Sequence, residues 1–596
     1  MKKVLLAFLL SAFCFVNRSH STQIQRHLVF LNSPPSTQLG AFLPTIRVAV
    51  VGPIYPGEKI QVTLKDQYDL VQGKTTMRVV NGVAEFNNLY FLQGATGYQF
   101  TAHANSKDVE DAYSGKFDIF LGGPESLSVF GMNIHSPGSP FPTDVGVNFG
   151  IQRFWDAGVS WAQISPAMGI WDWKMLDTYL SHLYQHNFPE AIYTIASVPT
   201  WASSKGNDGQ CRYNKGSCDL PADLNPDGSG TNQTWIDFII EIVSHANDAK
   251  YLKTHAHIRY WEVWNEPDQN PLFIGPQSFL RPNSHTSINA TYAQLLRMAE
   301  DLRCIVKGDG VVHISGQAIA CADAHYSRYG IDPSALILMP SFHVNDKQNT
   351  TNFMQNFLYC HHHPKTLCNI PAGQDWGGEA IDAVNYHSKI TTSDPENVLN
   401  HIRIVQSALR PREREMPFFN DESGWGDGVR KPNNYTYEAI QAAFIPRYYL
   451  AQFQNVVATG HYAWENYSED GFYDPDTKTV TQPGIAYNTV FNWLNGAQLT
   501  QPCKSQVLNG LTIWTCGVAK GTEEFLAIWD ATRPIADECD PGTDTCATSE
   551  FPLNLLGGNS GKWQSYEDYT GTKYPVQNGS VPIGAQAILL STEQLN

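Results

Sequence analysis

The spacing of apolar residues changes rhythm twice along the chain. From about His27 to Leu121 it offers short alternating runs, among them Lys59-Ile-Gln-Val-Thr-Leu64 and Tyr98-Gln-Phe-Thr-Ala102, separated by glycine-bearing turns and without a long helical period. Period-two alternation of this kind predicts a small antiparallel β-sandwich. From Val129 to about Ala497 short apolar strands alternate with amphipathic stretches. Met175, Leu176, Tyr179, Leu180 and Leu183 recur at helical spacing, as do Trp235, Phe238, Ile239, Ile242 and Val243, and then Tyr292, Leu295, Leu296, Ala299 and Leu302. Beyond Gln498 strands return at Leu511 to Cys516, Phe525 to Trp529 and Ala587 to Leu590, with turns at Gly557-Gly558 and Gly571. This predicts a second sandwich.

The middle region holds eight strand candidates: Val129 to Asn133, Val159 to Ile164, Ala191 to Ser197, Ile258 to Val263, Val311 to Ser315, Ile381 to Tyr386, Pro417 to Asn420 and Val457 to Trp464. Eight β-α units with no glycine-rich nucleotide fingerprint after the first strand favour a TIM (β/α)8 barrel over an open doubly wound sheet. The expected fold class is therefore α/β, with a barrel at residues 125–497, an N-terminal β-sandwich at 22–124 and a C-terminal one at 498–596. Gly484 to Leu494 reads as the last helix of the barrel. Gly82 to Leu89 with Gly94 to Ala102 resembles the last strands of bacterial immunoglobulin-like domains, and that N-terminal module shows no chemistry of its own.

Lys2 and Lys3 precede an apolar run, Val4 to Val16, that is too short to span a bilayer. Residues 1–21 read as a secretory signal peptide. Bulky Phe13 before Cys14 argues against lipid attachment there. The formal charge is −17, and removing residues 1–21 takes away Lys2, Lys3 and Arg18 and leaves −20. Such acidity disfavours nucleic acid or an anionic membrane as partner. No later stretch reads as a transmembrane helix, so the mature chain is expected to be soluble and secreted, extracellular or periplasmic.

Export reinterprets the cysteines. Ten follow Cys14 and lie as near neighbours: Cys211 with Cys218, Cys304 with Cys321, Cys360 with Cys368, Cys503 with Cys516, and Cys539 with Cys546. Five local disulfides are the economical expectation. None of the spacings repeats as the paired motif of a zinc site. His361-His362-His363, between Cys360 and Cys368, reads as a surface loop, and no metal or cofactor is expected.

Two carboxylates stand out against this background. The strand-like run Arg259-Tyr-Trp-Glu-Val-Trp-Asn-Glu-Pro-Asp268 delivers Asn265 and Glu266 to a turn marked by Pro267, after the fourth strand. Glu422, in Pro417-Phe-Phe-Asn-Asp-Glu-Ser-Gly-Trp-Gly426, follows the seventh. The C-terminal strand ends of a barrel are where its functional residues gather. Two such glutamates are the minimum machinery for cleaving a glycosidic bond.

Trp264-Asn265-Glu266-Pro267 is similar to the Asn-Glu-Pro signature of clan A retaining glycoside hydrolases, and Glu262 to Asp268 most resembles family 39, which includes β-xylosidases and α-L-iduronidases. Asn420-Asp421-Glu422 is similar to the nucleophile strand of the iduronidase-like branch. Val159 to Ile164 with Gly169-Ile-Trp-Asp-Trp173 looks like its second strand and following turn. The resemblance implies Glu266 as general acid/base with a raised pKa and Glu422 as an ionised nucleophile. It implies carboxyl groups about 5 to 5.5 Å apart, retained configuration, and Asn265 on the 2-hydroxyl of the sugar.

His135, Trp201, Tyr386, His387, Trp425 and Trp464 follow other strands and are candidate sugar-binding groups, the rings by stacking and the histidines by hydrogen bonds. Family members often place a tyrosine two residues after a sixth-strand histidine, to hydrogen-bond the nucleophile. Here Lys389 stands there, so either Tyr386 serves through a register change or Lys389 suits an acidic sugar. The expected function is a retaining glycoside hydrolase acting on a carbohydrate substrate. The alternatives are a weakly active carbohydrate-binding protein on the same scaffold and a transglycosidase using the same residues.

Overall fold

The computed structural model describes residues 26–122, 129–208, 211, 217–269, 290–324, 326–344, 350–362, 368–390, 394–425, 438–465, 471–540, 543 and 545–595. The leader reading at 1–21, and His363 with it, lies outside them.

At the centre is a sheet of nine parallel strands. In sheet order they are Leu336–Leu338, His257–Glu262, Glu190–Thr194, Ile151–Phe154, Phe130–Asn133, Ala458–His461, Phe418–Trp425, Val384–Ile390 and Phe342–Val344. The two ends of that order are consecutive pieces of one stretch of chain, separated by Met339, Pro340 and Ser341. Proline has no N–H to give to a ladder, so a strand interrupted there is expected. Single parallel bridges, Asn265 to Ser341 and Leu338 to Ala383, carry the pairing across the break. The sheet returns on itself as an eight-stranded, TIM-like barrel whose fifth strand is in two pieces.

Two predicted strands are corrected. The second is Ile151–Phe154, whereas Val159 to Ile164 ends in a short helix, Trp161–Ile164, because Ser160 and Gln163 form a capping box at its start. Val311–Ile314 instead pairs antiparallel with Gln317–Ala320 outside the barrel. Ser315 and Gly316 between them have φ of 53° and 78°, the left-handed pair of a type I′ hairpin turn. The true fifth strand was hidden by Pro340. Each error replaced one strand by another between the same neighbours, so the fourth and seventh strands keep their numbers.

The helices follow the sequence period closely. Lys174–Gln185 buries Leu176, Tyr179, Leu180 and Leu183, and Gln233–Ala246 buries Trp235, Phe238, Ile239, Ile242 and Val243 against the sheet. Tyr292–Lys307 begins at a Thr291–Gln294 capping box and ends at Gly308, which takes φ of 75°. Gln482–Leu494 is the last helix before the C-terminal strands. Among the described residues no helix is long and apolar enough to cross a membrane.

On the N-terminal side, Arg26–Phe30, Ile46–Val51 and Val83–Phe86 form one antiparallel sheet core, and Gln61–Asp66 with Phe100–Ala104 another. After the barrel, Gln498–Leu508, Leu511–Lys520, Glu523–Asp530 and Ile588–Ser591 lead a six-stranded sheet. Four disulfides join Cys211 to Cys218, Cys304 to Cys321, Cys503 to Cys516 and Cys539 to Cys546. The expected fifth is not made. Cys360 and Cys368 are thiols in hydrogen-bond contact. The two sulfurs meet without the S–S bond, and Cys360 sits in left-handed backbone with φ of 53°.

Candidate active site

Inward-facing residues of the barrel are stacked in layers two residues apart, as strand pleating requires. The lower layer is apolar and holds Ile151, Ile192, Tyr260 and Phe419. Two positions further along the same strands stand Arg153, Thr194, Glu262 and Asp421, all buried. The apolar floor keeps water out, and each charge above it must find a protein partner.

Strand seven departs from this alternation, and the departure makes the site. Phe419 pairs with Asn385 and Glu422 with His387, so strand seven spends one residue more than its neighbour. The same extra residue recurs against strand eight, where Asn420 faces Thr459 and Ser423 faces His461. A bulge of this kind lets two successive side chains serve one face. Asp421 and Glu422 both reach the cluster, while Asn420 points outward to Tyr448 and Gln452 of helix Glu438–Gln452.

Arg153 is the hub. Its guanidinium donates to Glu422 Oε2 at 2.9 Å, Glu262 Oε2 at 2.9 Å and Asn265 Oδ1 at 2.6 Å, and lies 3.0 Å from Asp421 Oδ2. Burial opposes its charge, but Asp421, Glu262 and Glu422 more than restore it. His387 is the second bridge: Nδ1 lies 2.8 Å from Glu266 Oε1 and Nε2 lies 3.1 Å from Asp421 Oδ1. Burial would neutralise this imidazole, yet Glu422, Asp421 and Glu266 together raise its pKa to about 10. It is a cation at neutral pH, donating from both nitrogens. Lys389 completes the set, with Nζ 2.8 Å from Glu422 Oε1.

The two glutamates are held differently. Glu422, at the bulge of strand seven, has a cation on each oxygen, and although burial opposes ionisation, Lys389, His387 and Arg153 hold it well below the usual carboxylate range. Glu266 stands in left-handed backbone with φ of 42°, a strained conformation for a non-glycine residue. Its N–H donates to Ser341 Oγ at 3.3 Å, in the gap of the broken fifth strand. Burial would raise its pKa, but the hydrogen bond and charge of His387 keep it low. The raised value expected of an acid/base is thus reversed in the unliganded site. The raised carboxyls are its neighbours: burial lifts Glu262 to about 7 against the pull of Arg153, and Asp268 to about 8 despite the backbone N–H of His343.

One oxygen each of Glu266 and Glu422 and a ring nitrogen of His387 all lie within 4.8 Å of one another. Asn265 is buried beside them, and its Nδ2 has no hydrogen-bond partner among the described residues. A buried donor left open in a polar cluster is a place for a ligand acceptor.

The other predicted residues divide. The His135 ring packs on Tyr462, centroids 4.8 Å apart, and Tyr462 in turn lies 4.6 Å under Lys389 Nζ and donates to Asp156 at 2.9 Å. These are at the mouth. Tyr386 is not: alternating with His387, it is fully buried in the layer outside the strands, so the register change suggested for it does not occur. Trp201 gives its indole N–H to Ser165 O at 2.8 Å, and Trp464 gives its own to Pro140 O at 3.0 Å and stacks on Tyr473. Trp425 packs on Phe444. These three rings hold the walls of the barrel.

Arg153, Glu262, Asp421, Asn385 and Asp156 were not anticipated. Arg153 belongs to the strand that was misplaced, and Asp156 lies just after it. A signal did exist, since Ile151-Gln-Arg-Phe154 follows Gly150 as a short β-prone run with its polar residue two positions past an apolar one. Asn385 donates to Asp421 Oδ2 at 2.9 Å, aligning that carboxylate.

Among the described residues three groups of side chains have metal-ligand spacing: Glu262 with His387 and Asp421, Glu266 with His387 and Glu422, and Cys211 with Cys218 and Asp219. In the first two the donor atoms already face Arg153, Lys389 or the His387 cation, and in the third the sulfurs are in a disulfide. Imidazolium and disulfide sulfur are poor metal ligands.

No known family model matches the chain, and no curated protein sequence matches it. Among solved structures it is similar to a glucosidase from Croceicoccus marinus, at 11% identity over 79% of this chain and 97% of that one, with a TM-score of 0.42. It is also similar to a β-glucuronidase from Ruminococcus gnavus, at 11% identity, 78% and 68% coverage and a TM-score of 0.30. A β-glucuronidase from Lactobacillus rhamnosus is similar at 11% identity, 79% and 68% coverage and a TM-score of 0.27.

Proposed function

We propose that the protein is a secreted retaining glycoside hydrolase in which Glu422 is the nucleophile and Glu266 the acid/base. The observation that carries this reading is the pair of glutamates, Glu266 just past strand four and Glu422 within strand seven, with one oxygen of each within 4.8 Å of the other. Carboxyl groups about 5 to 5.5 Å apart suit a covalent glycosyl intermediate, whereas inversion needs about 6.5 to 9.5 Å to admit water between them.

Glu422, ionised and clamped, attacks the anomeric carbon, and the bond to the leaving oxygen breaks with its electron pair on that oxygen. The leaving oxygen needs a proton, and in the resting site the proton of the Glu266–His387 hydrogen bond sits on His387. Its transfer across 2.8 Å to Glu266 as substrate displaces water makes Glu266 the acid. The charge of Glu422 favours that protonation, and once Glu422 is esterified the effect is gone. Glu266 is then the stronger acid, so it returns as a carboxylate that takes a proton from water. Asn265, through its open Nδ2, holds the sugar hydroxyl next to the anomeric carbon.

In this reading residues 1–21 are the leader, and the sheets at 22–124 and 498–596 are β-sandwich domains, the first immunoglobulin-like. The strong hold of His387 on Glu266 favours one alternative, a carbohydrate-binding protein with weak turnover. Reducing-sugar release from neutral and acidic polysaccharides and aryl glycosides, by wild type, Glu266→Gln and Glu422→Gln, tests both. The proposal expects activity in the wild type alone. Binding without turnover in all three supports the alternative, and full activity in either variant overturns the site.

A further inference from the structure

We infer that Lys389 is a positioning residue for Glu422, one half of a two-cation clamp on the attacking carboxylate, and that it is not a docking point for an anionic sugar. The inference rests on the reading of Glu422 as nucleophile.

Lys389 Nζ lies 2.8 Å from Glu422 Oε1, and Arg153 donates to Oε2 at 2.9 Å. Each oxygen of one carboxylate is thus assigned to a different cation on a different strand, which fixes the rotation of the carboxylate plane. Lys389 is itself confined. Its ammonium lies over the Tyr462 ring, which is anchored through its hydroxyl to Asp156 Oδ2. A lysine on a flexible stem becomes a fixed point charge when an aromatic face and an anion hold it from two sides.

The groups facing Glu422 are Lys389 and His387 from strand six, Arg153 from strand two with Asp156 just after it, and Asp421 on its own strand. Glu266 faces it from beyond strand four, and Tyr462, from beyond strand eight, lies against Lys389 and Asp156. An anionic sugar reaching for Lys389 would meet Glu422 at 2.8 Å from the same nitrogen, with Glu266 and Asp156 beside it. Like charges at such range repel strongly in a site of low dielectric. Lys389 keeps 23% of its side chain exposed, against 1% for Arg153, so it is the half of the clamp that can be removed without opening the buried cluster.

The experiment uses the full chain and an aryl glycoside that the wild type cleaves, with the matched uronide beside it. Glu422→Gly with added azide comes first, and formation of a glycosyl azide establishes Glu422 as the nucleophile. In Lys389→Met we expect kcat to fall about 100-fold with little change in KM, the scale of losing one preorganised electrostatic contact. The acid limb of kcat/KM should move up by about one pH unit or more, because the opposite charge that favours ionised Glu422 is gone. Lys389→Arg should keep the acid limb in place. If Lys389→Met does not fold, Lys389→Gln, a donor without charge, should move the limb in the same way. An unmoved acid limb in a folded neutral variant overturns the proposal, as does a loss confined to the uronide and expressed in KM. If azide fails to rescue Glu422→Gly, the nucleophile assignment falls and the proposal with it. Rescue with an unmoved limb overturns the proposal alone.

Discussion

Two buried charge clusters in this molecule look alike in composition and differ in closure. Where the barrel meets the C-terminal sheet, Arg447 of helix Glu438–Gln452 donates to Glu396 through Nε at 2.6 Å and through its terminal nitrogen at 2.8 Å. Trp529 from the C-terminal sheet gives its indole N–H to Glu396 at 2.7 Å, and Arg447 reaches Ala585 O at 3.3 Å. Each oxygen of Glu396 is used. In the barrel mouth, four carboxyls, Glu262, Glu266, Asp421 and Glu422, face three cations, and buried polar atoms such as Asn265 Nδ2, Glu262 Oε1 and Asn385 Oδ1 stay without partners among the described residues. A saturated cluster holds two layers together. An unsaturated one, strained at Glu266 and open at Asn265 Nδ2, stores capacity that a ligand completes.

That contrast breaks most sharply under substitution of its central residues. Glu422→Gln should lower turnover per folded molecule about 10⁴-fold or more, as loss of a reacting group does, a far larger effect than the stability lost with its ion pairs to Arg153 and Lys389. Arg447→Met should do the reverse, costing about 3–5 kcal/mol because Glu396 is left buried and unpaired, with kcat per folded molecule unchanged. Chemical denaturation and steady-state kinetics on the same preparations check both. A next smaller effect is expected at Asn265→Ala, about 100-fold in kcat, if its open Nδ2 meets the substrate most strongly in the transition state.

The pH dependence of stability should separate the clusters again. His387 has its folded pKa raised to about 10, so its contribution is complete below its unfolded value near 6.5 and is lost as pH rises through 10. Glu262 and Asp268, raised to about 7 and 8, bind protons more tightly folded than unfolded, so their contribution also fades from about pH 4 upward. Glu422, Asp421 and Glu266 are lowered, and theirs is present above their unfolded values near 4 and is lost as pH falls through the folded ones. His387→Asn should therefore flatten the decline in melting temperature between pH 7 and 10, and an unchanged slope would remove His387 as the cation. The smallest effect concerns Cys360 and Cys368. In the denatured, unreduced chain Cys360 and Cys368 should both react as thiols, and Cys360→Ser should leave activity unaltered.

The elements that depend on local rhythm were readable before the structure, and those that depend on irregularity were not. The helices at 174–185, 233–246 and 292–307 announce themselves because one apolar face repeats every three or four residues. The two carboxylates were legible because each follows an apolar, strand-like run, a longer one before Glu266 and a short one before Glu422. Arg153 escaped because its strand is only four residues long and a longer apolar run follows it. The fifth strand escaped because Pro340 divides it. The bulge that turns both Asp421 and Glu422 inward is a matter of registers between three strands, and no single strand's sequence records it. The ionisation of Glu266 differs for a related reason: the raised value was expected from the acid/base role alone, and the partner that lowers it, His387, comes from strand six.

The most direct test of the central claim is the anomeric configuration of the first sugar released, followed by proton NMR before mutarotation sets in. The two-glutamate account predicts the same configuration as the bond cleaved, through a glycosyl ester on Glu422. An inverted first product would contradict it, and would make Glu422 a base acting through water.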